Sequence, residues 1–337
     1  MMQKVAVIGA GSWGTALAML LAGRHEVWLW GRDAAEMAAM QRSRANTRYL
    51  PGHPFPESLI ATGDLESALT GAACVLMVVP SHGFRQVFRQ AVPLLPGNIP
   101  MVSAVKGIEF PSIRTMTQIM QEESAGRPLA LCVLSGPSFA EEVACGLPTA
   151  VTVACADKVQ AARVQELFST RFFRVYSSQD VLGLEISGAM KNVIAIASGI
   201  SDGLGYGLNT RAALITRGLA EIIRLGTALG ADSRTFSGLS GLGDLVLTCT
   251  GNLSRNRSVG LKLGAGKTLR QVLAEMTMVA EGVRTTESCF QLAKARAVEM
   301  PILEQVYAVL YEGKSCREAV TQLFQRTLKE ELLGHGN

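Results

Sequence analysis

At 337 residues, 48% of them hydrophobic and only 18% charged, the chain has material for two buried cores, and its composition argues against disorder. A net charge of +4 with no long basic tract argues against a nucleic-acid binder and suits an anionic small molecule. No uninterrupted apolar run of about 18 residues offers a membrane span, and a strand pattern starting at Lys4 or Val5 leaves no room for a signal peptide, so the expected setting is the cytoplasm, without integral membrane association.

The first element is a continuous apolar strand over residues 4–9, followed by a small-residue helix over 12–23 and a second strand over 26–31. This is one βαβ unit, and Gly9-Ala10-Gly11-Ser12-Trp13-Gly14 forms its first turn. Glycine at Gly9, Gly11 and Gly14 permits a tight turn, close approach of backbone to a ligand and close packing of helix on strand. A G-x-G-x-x-G at the first strand that also opens a helix predicts dinucleotide binding, although glycine-rich turns also arise for packing alone. Strand two ends in Gly31-Arg32-Asp33. Arg32 stands where a cation can meet a 2′-phosphate, and Asp33 where a carboxylate can hold a ribose hydroxyl, so NADP is favoured and use of both cofactors expected.

Further apolar runs follow at residues 73–79, 100–104 and 129–134, continuous rather than alternating, as parallel strands covered on both faces should read. Residues 149–154 and 172–176 are expected as edge strands. Lys106 falls just past the carboxyl end of one run. Leu134-Ser135-Gly136-Pro137-Ser138-Phe139-Ala140-Glu141 joins another to a helix start, with Ser138 and Glu141 at capping-box spacing. Capping alone accounts for both, yet the N–H groups at such an end also attract anions, which makes Gly136 and Ser138 candidate substrate contacts.

Beyond about Ser178 strand-like runs give way to helical stretches over 181–200, 210–229 and 298–311. The expected organisation is a dinucleotide-binding domain over 1–178 and an all-helical domain over 179–337, with the active site in the cleft at the carboxyl ends of the strands. The helix over 181–200 is apolar nearly all round except for Glu185, Lys191 and Asn192, so it should be buried, and Lys191 must reach a cleft or a counter-charge. Ser187 and Gly188, one turn earlier on the same face, are small enough to leave room for a ligand beside the ammonium. Burial and neighbouring cations would lower the pKa of Lys191 towards the range a proton-transferring group needs. Asp244, inside the apolar Gly241-Leu242-Gly243-Asp244-Leu245-Val246-Leu247, requires a protein cation or a substrate hydroxyl. Ser254-Arg255-Asn256-Arg257 is a compact donor cluster suited to a phosphate, or else a solvated loop.

The seven cysteines (Cys74, Cys132, Cys145, Cys155, Cys249, Cys289, Cys316) are odd in number and nowhere spaced C-x-x-C, while His25, His53, His82 and His335 are scattered. Packed thiols, no disulfide framework and no metal are expected.

The strings GAGSWGTALA, VVPSH, Lys106-Gly107, LSGPSFA, GAMKNVIAI, ITRGLAE, GLGDLVLTC and SRNR, in this order along almost the whole chain, resemble the bacterial-type NAD(P)-dependent glycerol-3-phosphate dehydrogenase family. The resemblance implies an α/β fold in which a Rossmann-type, mostly parallel sheet domain precedes an all-helical domain like the C-terminal part of 6-phosphogluconate dehydrogenase. It implies reversible reduction of dihydroxyacetone phosphate to sn-glycerol 3-phosphate by NADPH or NADH, for glycerophospholipid biosynthesis, in a homodimer. By the same similarity Lys191 is the proton donor and acceptor. Ser12, Trp13, Arg32, Lys106, Ala140, Arg255, Val279 and Glu281 match cofactor-contacting positions. Lys106, Gly136, Ser138, Lys191, Asp244, Ser254, Arg255 and Asn256 match substrate-contacting ones. The family varies at the Arg32 position, which leaves cofactor preference more open than reaction type. Dehydrogenases of 3-hydroxy acids share the layout, so fold alone does not name the substrate.

Overall fold

The computed structural model describes residues 2–331 apart from 98, 125, 277 and 329; His335 and the last residues of the expected second domain lie outside the described residues. Eight strands form one sheet: β1 Lys4–Ile8, β2 Glu26–Trp30, β3 Leu59–Thr62, β4 Cys74–Met77, β5 Pro100–Ser103, β6 Ala130–Ser135, β7 Thr149–Cys155 and β8 Phe173–Ser178. Their order is β3-β2-β1-β4-β5-β6-β7-β8, and every neighbouring pair is parallel except β6 and β7. Helices α1 Ser12–Ala22, α2 Ala34–Ser43, α3 Leu65–Leu69, α4 Ser81–Ala91, α5 Met116–Glu123, α6 Ala140–Ala144 and α7 Lys158–Phe168 alternate with the strands. Buried β1, β4 and β5 carry valine, isoleucine, leucine and methionine on both faces, the continuous pattern that central parallel strands need.

Two expectations about the sheet are corrected. Residues 149–154 do not form an edge, because β7 lies between antiparallel β6 and parallel β8. The opposite edge, β3, went unforeseen: its four residues alternate between buried and half-buried positions, too short a pattern to stand out from a loop.

The chain then becomes helical: α8 Val181–Gly203, α9 Leu208–Ala228, α10 Asp244–Thr250, α11 Arg255–Gly264, α12 Leu269–Ala274, α13 Glu281–Ala295, α14 Pro301–Tyr311 and α15 Cys316–Phe324. Helix α8 is long and apolar enough to cross a bilayer, but 89% of its 18-residue apolar stretch is buried inside the protein. It is buried without a break from Gly183 to Ser201. Its backbone touches that of α11: a Cβ on Gly199 would lie 2.0 Å from the Arg257 carbonyl oxygen, and one on Gly260 2.0 Å from that of Ile196. Only glycine lets two helix axes approach so closely. The other end of α8 is tied to the sheet domain by Glu185, whose carboxylate accepts from the Thr117 N–H at 2.8 Å and its hydroxyl at 2.6 Å. The helix carrying Lys191 is thus fixed at both ends.

A candidate active site between the sheet and the buried helix

A cavity of about 710 Å³ opens at the carboxyl ends of β1, β2, β4 and β5 and is closed on its far side by α8, α10, α11 and the start of α13. The glycine turn forms one wall. Gly9 has φ +124°, and a Cβ there would lie 2.7 Å from the Val78 carbonyl carbon. A Cβ on Gly14 would lie 1.9 Å from the Gly9 carbonyl oxygen. At Gly11, by contrast, a Cβ would meet nothing within 4 Å. Gly9 and Gly14 therefore serve the turn and the helix–strand contact, and Gly11 leaves open space above them. Trp13 beside it has a buried Nε1–H with no partner among the described residues, and Ser12 and Arg32 also line the cavity. An open cradle, an unused donor and a cation at the end of β2 fit a dinucleotide.

Opposite this wall, Asp244 is 1% exposed and bridges two lysines. Lys106, just past β5, donates from Nζ to Asp244 Oδ2 at 2.7 Å and to the Gly136 carbonyl at 3.0 Å. Lys191 donates to Asp244 Oδ1 and, at 2.9 Å, to Thr248 Oγ1. Burial drives the Lys191 ammonium down to about pKa 7, with Lys106 pushing the same way against the attraction of Asp244. Burial alone would raise the pKa of Asp244, but Lys106 and then Lys191 outweigh it and hold the carboxylate below its usual value. Two ammonium groups share one carboxylate, so the centre keeps a net positive charge.

Of the residues singled out in the sequence, Lys106, Ser138, Ala140, Lys191, Ser254, Arg255, Asn256, Val279 and Glu281 line the same cavity as the glycine turn. Gly136 and Asp244 stand behind its surface, holding the lysines. Three local readings change. Ser138 does not cap a helix: α6 starts at Ala140 with Phe139 as its N-cap and no side-chain capping bond, while the Ser138 hydroxyl donates to the Gly136 carbonyl at 3.0 Å. Gly188 faces Ser135 and Lys106 rather than a ligand, since a Cβ there would lie 3.2 Å from Ser135 Oγ and 3.4 Å from Lys106 Cγ. In the donor cluster, Arg257 is spent on Asp202 at 2.8 Å, and Ser254 caps α11 by accepting from the Arg257 N–H at 3.2 Å. Arg255 donates to the Val279 carbonyl at 2.9 Å, leaving other N–H groups towards the cavity.

Two residues that sequence reasoning did not select belong here. Thr248 lies one helical turn after Asp244, a spacing that places both on one face of α10, and its hydroxyl donates to the Asp244 carbonyl at 2.6 Å while accepting from Lys191. Asn192 links four segments. Its Nδ2 donates to the Lys106 carbonyl at 3.0 Å, its Oδ1 accepts from Asn256 Nδ2 at 2.8 Å, and Asn256 Oδ1 accepts from the Gly282 N–H at 2.9 Å. The motif around Lys191 contained Asn192, but no sequence signal disclosed this relay. Glu281, at the start of α13, reaches back to α4, accepting from the Ser81 N–H at 3.0 Å and its hydroxyl at 2.5 Å.

Family models described as the N-terminus and the C-terminus of NAD-dependent glycerol-3-phosphate dehydrogenase match residues 4–161 and 180–321. The chain is 58% identical over 333 residues to a protein named glycerol-3-phosphate dehydrogenase [NAD(P)+] from Desulfotalea psychrophila, covering 97% of this chain and 98% of that one. A protein of the same name from Citrifermentans bemidjiense is 56% identical over 333 residues, covering 98% and 99%. The crystal structure of glycerol-3-phosphate dehydrogenase from Coxiella burnetii superposes with a TM-score of 0.93 at 42% identity, covering 96% of this chain and 99% of the other.

Proposed function

The chain belongs to the NAD-dependent glycerol-3-phosphate dehydrogenase family, an NAD(P)-dependent oxidoreductase that interconverts dihydroxyacetone phosphate and sn-glycerol 3-phosphate, and we propose that Lys191 is its proton donor and acceptor. The observation that carries this assignment is the shared Asp244 carboxylate. It takes one Lys191 proton and Thr248 takes a second, so the third is left for a substrate oxygen at the cavity wall.

Gly9, Gly11, Ser12, Trp13, Gly14 and Arg32 would hold the dinucleotide, with Ala140, Val279 and Glu281 closing over it. The bound nicotinamide supplies the hydride that reduces the C2 carbonyl. As that oxygen gains negative charge, Lys191 gives it a proton and Lys106 supplies a second nearby cation. A donor with a pKa of about 7 can both give and regain this proton near neutrality, which reversibility requires. The substrate phosphate would meet the free N–H groups of Arg255, the second Nδ2 proton of Asn256 and the hydroxyl of Ser254, several convergent donors as a dianion needs, with Ser138 beside them turning its own proton from the Gly136 carbonyl to the phosphate. Gly136 positions Lys106 through its carbonyl.

The product is the three-carbon phosphate on which glycerophospholipids are built, and that biosynthesis is the role the family supports. We place the division between the domains at residues 178 and 179, supported by the end of β8 at Ser178 and the start of α8 at Val181. We also infer a homodimer working in the cytoplasm, on the strength of the family resemblance. Sedimentation velocity tests the first of these.

The reaction is tested by following NADPH absorbance with dihydroxyacetone phosphate, with oxidised 3-hydroxy acids and without substrate. Consumption only with the phosphorylated triose is expected. Turnover of 3-oxo acids but not of the triose would transfer the assignment to the 3-hydroxy acid dehydrogenases, and binding without any turnover would favour a nucleotide-sensing protein.

A further inference from the structure

A different stretch of the cavity wall carries its own charged groups, and they divide into two kinds. Three of the anions are already committed. Asp33 Oδ1 accepts from the Glu36 N–H at 3.0 Å at the start of α2. Glu36 is 3.5 Å from Arg48, and Glu281 is bound to Ser81. The cations are not. Arg32 at the end of β2 and His82 in the first turn of α4 are exposed, as is Arg284 in the first turn of α13, which stands outside the lining, and none of the three side chains has a hydrogen-bond or ion-pair partner among the described residues. Arg32 and His82 line the cavity together, as does His53. Arg284 and Arg32 both disfavour the charged form of His82, adding to the effect of burial, while Glu281 opposes them, so the imidazole sits below its ordinary pKa.

Arg32 is a cation without a partner at this wall and His82 beside it can take up a second charge, so an entering anion would be favoured by both. A ribose 2′-hydroxyl is not such an anion: it needs one acceptor, which the second oxygen of Asp33 can provide. A 2′-phosphate is a dianion that needs several donors. Resting on the dinucleotide reading of this cavity, we propose that His82 is a second reader of the adenosine 2′-phosphate beside Arg32, charging as the phosphate binds and thereby making the preference for NADP(H) over NAD(H) increase as pH falls. Partial desolvation, Arg284 and Arg32 together disfavour the charge on the free imidazole. A neighbouring dianion stabilises the imidazolium, so net proton uptake accompanies binding of a 2′-phosphate and does not accompany binding of its unphosphorylated counterpart. The trend reverses only below about pH 6, where the phosphate itself takes a proton.

The adenosine fragments 2′,5′-ADP and 5′-AMP isolate this end of the site from the chemistry. Titration calorimetry of both, at about pH 8 and about pH 6.5, should show their affinity ratio rising about 5-fold or more at the lower pH in the wild type. Repeating the 2′,5′-ADP titration in buffers of different ionisation heat should reveal the proton uptake directly. In His82→Gln the ratio should be nearly flat over this range and the uptake absent, while Arg32→Ala should lower the ratio at both pH values. A His82→Gln protein that keeps the wild-type pH dependence overturns the role of His82 and leaves the cofactor reading intact. Failure of both fragments to bind the wild type overturns the dinucleotide reading and the role of His82 with it.

Discussion

Asp244 and Glu221 are equally buried, 1% and 2% exposed, and each has solved the cost of burial in a different way. Asp244 lies between two ammonium groups, just behind the wall that they form on a cavity. Glu221, on α9, faces no cation within hydrogen-bonding distance among the described residues; it accepts from the Ile302 N–H at 2.7 Å and the Leu303 N–H at 3.2 Å, where α14 begins. The consequences are opposite. Cations hold Asp244 ionised below its ordinary range, whereas burial raises Glu221 to about pKa 7 despite the two amides. Glu185, which caps α5 through Thr117, follows Glu221 in direction. A buried carboxylate facing backbone dipoles joins elements of the fold, and one facing movable cations tunes their protons. The second arrangement is the one that can do chemistry.

The strongest test of that distinction is Lys191→Ala. It should lower the turnover number by about 10²-fold or more while fluorescence titration shows cofactor affinity little changed; near-normal turnover would reduce the Asp244 centre to another structural pairing. Asp244→Asn sharpens the comparison by removing the counter-charge and keeping the shape. Reduction needs Lys191 protonated, so kcat/KM for dihydroxyacetone phosphate should fall as pH rises through about 7 in the wild type. Without the carboxylate the two lysines repel unopposed, and that fall should move to lower pH by about one unit or more. A pH profile that stays in place would show that Asp244 does not govern the proton on Lys191.

The same contrast explains what the sequence discloses. The βαβ start, the parallel core strands and a buried helix bearing Lys191 are written in local patterns: continuous apolar runs, a glycine spacing and a long stretch that is apolar on nearly every side. The need of Asp244 for a partner is also legible, because a lone carboxylate in an apolar stretch must be compensated. Which partner it finds is not legible, since Lys106 lies 138 positions away and meets it only after α8 has docked on the sheet. Thr248 was within reach of the spacing argument. The Asn192–Asn256–Gly282 relay and the Glu281–Ser81 bond were not, because asparagines and glutamates look alike in sequence whether solvated or joined across 64 or 200 residues. The misread Ser138 cap shows the converse risk, in which capping-box spacing is present but the backbone starts its helix one residue later than that cap requires.

The smallest effect tests the structural side of the comparison through stability. Glu221 ionises at its ordinary value of 4.5 when unfolded and near 7 when folded, so between these values the folded protein holds a proton that the unfolded chain has lost. Stability is therefore complete in acid and declines as pH rises through this window, by about 3 kcal/mol at neutrality. Glu221→Gln cannot ionise and keeps an oxygen for the Ile302 N–H, although it forfeits the bond to Leu303, worth about 1 kcal/mol. Melting curves between about pH 5 and about pH 7.5 should show the variant less stable than the wild type at the acid end, with the gap closing or reversing towards neutrality. If the gap stays constant across the range, Glu221 is ionised in the folded protein, two helix amides hold a buried charge as well as two lysines do, and the division drawn between the two carboxylates loses its physical basis.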